Sequence, residues 1–259
     1  MSGMTYNVSP QGLGILTLNR PEALNALNWE SMHALAEFID QAAGDPSLRV
    51  LLLTGAGGNF CAGGDLFDLH ETLSESDAIR LAERMGNALR RLQGLPAVTI
   101  AAMEGVAFGA GVELALACDM RVLAEDAKLS LAQIRLGLTT AWGGAARLMH
   151  LVGYGRAIEI LTMGEQITPQ HALHTGLVNR LTPPGHAMQE ATKLACQILR
   201  WDRQAIQDIK SILQTAMTGS IIDANALERQ SFIRLWAAPA HRQASLDFVA
   251  SKSKPKADK

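Results

Sequence analysis

Glu113 is the one charged residue between Gly105 and Cys118, in the run "GVAFGAGVELALAC". A carboxylate stripped of water without a partner is costly, and such a group neutralises or shifts its pKa instead. Glu113 therefore either faces solvent or sits in a dry site where its proton can be used. Two stretches of small residues are the places for a ligand to meet it: "FCAGGD" (Phe60 to Asp65), and "FGAG" (Phe108 to Gly111) just before Glu113. Small residues let a ligand approach the backbone, and exposed N–H groups there can converge on one oxygen. That is the geometry of an oxyanion hole, in which one donor is worth roughly 3–4 kcal/mol of transition-state stabilisation. On spacing alone, plain tight turns are the favoured reading of these stretches. Neither carries the Gly-x-Gly-x-x-Gly spacing of a dinucleotide fingerprint, and "GAGGNF" lacks the Lys-Ser/Thr ending of a P-loop.

The elements that must position these residues follow from apolar periodicity. "TYNVSPQGLGILTLN" alternates about a central glycine pair and predicts a β-hairpin. "NWESMHALAEFIDQAAGD" puts Trp29, Met32, Leu35, Ala36 and Ile39 on one helical face, with Gly44 ending the helix. "VLLLTG" (Val50 to Gly55) and "AVTIAAMEG" (Ala97 to Gly105) are continuous apolar runs, the pattern of parallel strands buried on both faces. A helix is predicted from Leu73 to Leu92 and a short one from about Gly109 to Ala117, then two short strands within "DMRVLAEDAKLSLAQ". From Gly143 on the pattern is helical, broken by a short strand and turn in "TGLVNRLTPPG". Strands alternating with helices, followed by a helical last third, predict an α/β fold with a parallel sheet. A core over residues 1–183 and a helical C-terminal region over 184–259 are expected.

Composition narrows the function. Of 259 residues, 48% are hydrophobic and 19% charged, and the net charge of −2 argues against nucleic-acid binding through overall charge. No apolar run reaches the ~18 residues of a membrane span, and the start has no signal-peptide pattern. Cys61, Cys118 and Cys196 are far apart and lack metal-ligand spacing, so reduced thiols, no metal and a cytoplasmic location are expected.

Four segments in order, "NRPEALNALN", "LLLTGAGGNFCAGGDL", "GVAFGAGVELALACDMRVLAEDAKL" and "GLTTAWGGAARL", resemble the signature of the crotonase (enoyl-CoA hydratase/isomerase) superfamily. The likeness runs from about Met4 to Lys252. It implies a spiral of ββα repeats, a homotrimer or hexamer, and an acyl-CoA substrate whose thioester becomes an enolate, with coenzyme A entering as part of the substrate and no separate cofactor. Carried over residue by residue, it assigns the oxyanion donors to the N–H groups of Ala62 and Ala110, and a catalytic role to Glu113, the alternative being a structural carboxylate bonded to a neighbouring turn. It assigns coenzyme A contacts to Glu22, Ala23, Leu24 and Ala26, and to Phe60, Ala62, Gly63, Gly64, Asp65 and Leu66. Phe232 and Lys252 come within reach of such a site by the same analogy.

The chain also departs from the hydratase pattern. Where hydratases carry a second glutamate, it has Gln133, and an amide cannot exchange a proton near neutral pH. Ala141 and Trp142 stand where some isomerases and dehalogenases place an aspartate. "GLTTAWGGAARL" and "ALERQSFIRLWAAPAHRQA" are similar to the matching segments of ethylmalonyl-CoA decarboxylases. That resemblance implies decarboxylation of a short malonyl-type thioester, with Trp142 either an apolar wall of the site or a plain core aromatic. Hydration or isomerisation by a single glutamate, and acyl-CoA binding without catalysis, are the alternatives.

Overall fold

The computed structural model describes residues 3–71 and 74–252. Leu73, where the sequence places the start of its second helix, and most of the basic tail lie outside them. The chain divides into two compact units, Met1–Leu199 and Arg200–Lys259.

In the first unit, β1 (Met4–Val8) and β2 (Leu13–Leu18) form the expected hairpin, Met4 pairing with Leu18. β2 pairs in parallel with β3 (Val50–Gly55), β3 with β4 (Val98–Met103), β4 with β6 (Met120–Ala124), and β6 with β8 (Arg180–Thr182). A second, two-stranded sheet joins β5 (Val106–Phe108) to β7 (Lys128–Ser130). Cys61 bridges Ala107 of β5, and Ile167 bridges Leu129 of β7, so this layer extends by single residues at both edges. The chain thus climbs in turns, each adding one strand to either layer. β4 and β5 lead into helix α4 (Ala110–Leu116), and β6 and β7 repeat the step one level on.

The continuous apolar runs are explained by burial on both sides. Leu51 and Leu53 of β3 join one core cluster, while Val50 and Leu52 point into another. The first is covered by α1 (Trp29–Gly44) and α3 (Glu75–Gln93), with Met32, Leu35, Met85 and Leu89 fully enclosed. The second lies under α8 (Ala187–Ile198), whose Ala187, Ala191 and Ala195 bring the helix close to the strands. This helix, placed by the sequence in the C-terminal region, packs on the main sheet within the first unit. Between these lie the short α2 (Leu66–Leu69), then α5 (Gly144–Val152), α6 (Tyr154–Met163) and α7 (Pro169–His174).

The second unit holds α9 (Arg203–Thr218), α10 (Ile221–Trp236) and α11 (Pro239–Lys252). Asp202 and Ser220 cap the first two by accepting from the N–H groups of Ala205 and Asp223. Arg234 of α10 donates to both oxygens of Asp208 on α9. Ile209, Leu213, Phe232, Ile233, Trp236 and Phe248 of this unit are exposed.

One side chain ties the loops of the first unit together. Asn25, buried, donates to the carbonyls of Ala56 (2.9 Å) and Asn59 (2.7 Å) and accepts from the Arg20 N–H (2.9 Å). Asn25→Ala removes three hydrogen bonds, each worth about 1 kcal/mol net, and leaves two partly buried carbonyls without this donor. The expected outcome is a loss of about 3 kcal/mol, read as a lower urea midpoint with an unchanged slope.

Candidate active site

The segments Pro21–Leu27 and Phe60–Leu66 form one ledge. Leu27 makes a parallel bridge to Gly64, donating to the Gly63 carbonyl (2.8 Å) and accepting from the Asp65 N–H (2.9 Å). Arg20 closes the ledge by pairing with Asp65 at 3.1 Å. The Asp65 carboxylate is therefore engaged within the protein. Phe60 is fully buried, whereas Glu22, Leu24 and Leu66 are exposed at the rim. The sequence-derived coenzyme A contacts thus come together in space.

The pair of oxyanion donors needs a correction. The Ala62 N–H donates to the Leu24 carbonyl at 3.0 Å, so it is already spent. Two residues on, the Leu27 bridge uses the groups on either side of Gly64, which leaves the Gly64 N–H pointing the opposite way. Gly63, at φ +105°, brings this peptide against the start of α4. A Cβ on it would lie 2.9 Å from the Phe108 carbonyl oxygen and 3.6 Å from the Ala110 nitrogen. Among the described residues, neither the Gly64 N–H nor the Ala110 N–H has an acceptor. Ala110 opens α4, where the first-turn N–H groups lack intrahelical partners. Gly64 and Ala110, rather than Ala62 and Ala110, are the free donors that stand together.

Glu113, one helical turn further, is only 3% exposed. Its Oε2 accepts from the N–H groups of Trp142 (2.9 Å) and Gly144 (3.0 Å), and its Oε1 accepts from Gln133 Nε2 (3.1 Å). Burial pushes its pKa up, against the opposing pull of these donors. Only glycine fits at 144, because a Cβ there would fall 2.6–2.9 Å from the Glu113 side chain. Gln133 thus reaches Glu113, and its own Oε1 is buried without a hydrogen-bond partner. Trp142 meets Glu113 through its backbone, while its indole is 4% exposed and belongs to the main core cluster.

Other side chains with chemical potential are enclosed, engaged or at the surface. Cys61 is enclosed, its thiol pushed up to about 12 by burial, which removes it as a nucleophile. Asp119 accepts from the Thr99 N–H (2.7 Å) and hydroxyl (3.0 Å), joining the end of α4 to β4. His33 is a surface residue paired with Glu37, and His70 is exposed. Phe232 stacks on Trp236 within the second unit. No group of three or more metal-ligating side chains is found among the described residues. No described helix is long and apolar enough to cross a membrane.

Residues 9–258 match the family described as Enoyl-CoA hydratase/isomerase. The chain belongs to that family. It is 31% identical to an ethylmalonyl-CoA decarboxylase of Danio rerio, over 95% of this chain and 82% of that one. It is 36% identical to a 2,3-dehydroadipyl-CoA hydratase of Escherichia coli K12, over 93% of each. The solved structure of an enoyl-CoA hydratase from Bacillus anthracis superimposes with a TM-score of 0.90 at 28% identity, over 96% of each chain. The fold is therefore that of the crotonase superfamily, and the chain is an acyl-CoA enzyme of the enoyl-CoA hydratase/isomerase family.

Proposed function

We propose that this enzyme decarboxylates a short malonyl-type CoA thioester. The observation that carries the reading is the Glu113–Gln133 contact: where two-acid hydration needs a second carboxylate, the structure has an amide whose Nε2 is bound to the first. The N–H groups of Gly64 and Ala110 receive the thioester oxygen. When the bond from Cα to the carboxylate breaks, its electron pair moves into the enolate, and those two N–H groups take up the charge on oxygen. Carbon dioxide leaves, and one proton returned to Cα completes the reaction. Glu113 delivers it, since burial favours the protonated form of this carboxyl. Trp142 contributes through the peptide N–H that orients Glu113. The ledge from Glu22 to Ala26 and from Phe60 to Leu66 holds the coenzyme A portion.

The ethylmalonyl-CoA decarboxylase of Danio rerio, matched along most of this chain, supports the reading. The E. coli hydratase supports a second one, hydration or isomerisation by Glu113 alone. The exposed apolar residues of the second unit favour a homo-oligomer, trimeric or hexameric, in which they are covered.

Incubation with crotonyl-CoA, a 3-enoyl-CoA, methylmalonyl-CoA and ethylmalonyl-CoA in deuterated water, read by mass spectrometry, separates the readings. Loss of the mass of carbon dioxide with deuterium at Cα is the expected result. Gain of water, or deuterium exchange with a moved double bond, would instead establish the second reading, and inertness toward all four would leave a binding protein.

A further inference from the structure

Glu113 is held by a loop, and one arginine grips that loop. Arg147, on α5 and only 8% exposed, donates from Nη1 to the Trp142 carbonyl at 2.6 Å and from Nε to Gln93 Oε1 on α3 at 2.9 Å. Its backbone N–H bonds the Gly143 carbonyl at 3.2 Å. The gripped carbonyl lies between the two peptides whose N–H groups, from Trp142 and Gly144, converge on Glu113 Oε2. Displacing that central peptide would carry the flanking donors with it. A charged donor to a buried carbonyl makes a short, strong bond, so the guanidinium fixes the loop more firmly than a neutral group would.

Charge adds to geometry. Burial lowers the pKa of Arg147, and the field of Glu113 opposes that most strongly, so the carboxylate favours the charged guanidinium. Arg90 on α3 works against the arginine's charge and Cys118, just past α4, adds a smaller favourable influence.

We propose that Arg147 is a positioning residue for Glu113: through the Trp142 carbonyl it sets the two N–H groups on Oε2, and it supplies a buried positive charge at the loop that holds the carboxylate. The inference rests on the reading of Glu113 as the group that handles the proton. It extends that reading to a side chain that touches neither substrate nor reacting atoms.

The test uses Arg147→Gln, Arg147→Lys and Gln93→Ala in the full chain, with the Glu113 carboxyl followed by carbon-13 NMR. Its resonance is assigned by its disappearance in Glu113→Gln. In Arg147→Gln the midpoint of that titration is expected to rise. With the thioester turned over in the panel, kcat is expected to fall about 10²-fold, as misplacement of a reacting group by ~1 Å does, with KM nearly unchanged. Arg147→Lys keeps the charge and is expected to restore most of the midpoint but only part of kcat. Gln93→Ala leaves the arginine in place and frees its Nε, so it tests the grip if Arg147→Gln does not fold; a displaced Glu113 resonance is expected.

Lower stability with an unmoved Glu113 titration and unchanged kcat in the folded variants would overturn the proposal. If the titration moves while Glu113→Gln retains full turnover, the positioning role stands and the proton-handling role of Glu113 falls.

Discussion

Glu113→Gln is expected to give a protein more stable than wild type near neutral pH and slower by roughly 10²–10⁴-fold, the usual range for loss of a general acid or base. Both effects come from one environment. Burial raises the Glu113 pKa in the folded state above its ordinary value. Between those two values the native protein binds a proton more readily than the unfolded chain, so stability falls as pH rises through that window and is level above it. The glutamine does not titrate and escapes this penalty. Its carbonyl can still accept from the Trp142 and Gly144 N–H groups, which otherwise bond Glu113 Oε2. Its amide nitrogen then faces Gln133, which has only to turn its amide to present Oε1, the buried atom that now lacks a partner. Thermal denaturation of both proteins across the acid-to-neutral range checks this. The gap should open as pH rises and vanish in acid, and a variant less stable at every pH would contradict it. Stability gained by removing the reactive group is the pattern expected of a carboxyl placed for chemistry.

The parallel sheet was legible because strands buried on both faces have no reason to alternate. Val50 to Gly55 reads as one apolar run because Leu51 and Leu53 enter one core while Val50 and Leu52 enter the other. β5 was not legible. Val106–Phe108 is three residues long, too short for a period, and exists as a strand because β7 lies beside it. The place of Ala187–Ile198 is a similar case: helical pattern gave the helix, and only its alanines against β3 and β4 assign it to the first unit.

At the site, residue type carried further than residue direction. A glutamate among glycines pointed to a dry carboxyl, and the resemblance put Gln133 near it; both are found together. The identity of the free N–H in "CAGGD" was hidden, because every candidate there is a small residue. Two long-range contacts decide it, the Leu24 carbonyl that takes Ala62 and the Leu27 bridge that turns Gly64 outward. The donors on Glu113 Oε2 come from Trp142 and Gly144, at the approach and first residue of α5. The paired glycines of "WGGAAR", with an arginine three residues on, are a trace of that arrangement in the sequence, yet they name no partner.

Gln133→Glu is expected to raise the hydration of crotonyl-CoA by 10²-fold or more, the lower end of what a well-placed acid or base contributes. Gln133 Nε2 stands 3.1 Å from Glu113 Oε1, so the substitution sets a second carboxyl at hydrogen-bond distance from the first. Two carboxylates so close cannot both ionise without penalty. They share a proton and titrate as a pair, one step displaced upward and the other downward. One member then acts as base toward a water while the other returns a proton to the substrate, the division of labour a single carboxyl and an amide cannot provide. The same repulsion costs stability. The variant should be weaker than wild type at alkaline pH and recover as acidification supplies the shared proton. The hydration rate, followed by the loss of enoyl absorbance, and urea midpoints at acid and alkaline pH check both halves. If the wild type already hydrates crotonyl-CoA as fast as the variant, the amide is no barrier to that reaction, and the case for decarboxylation built on the Glu113–Gln133 contact fails with it. If hydration rises while turnover of the malonyl-type thioester falls, one amide in place of a carboxylate accounts for the choice between the two reactions.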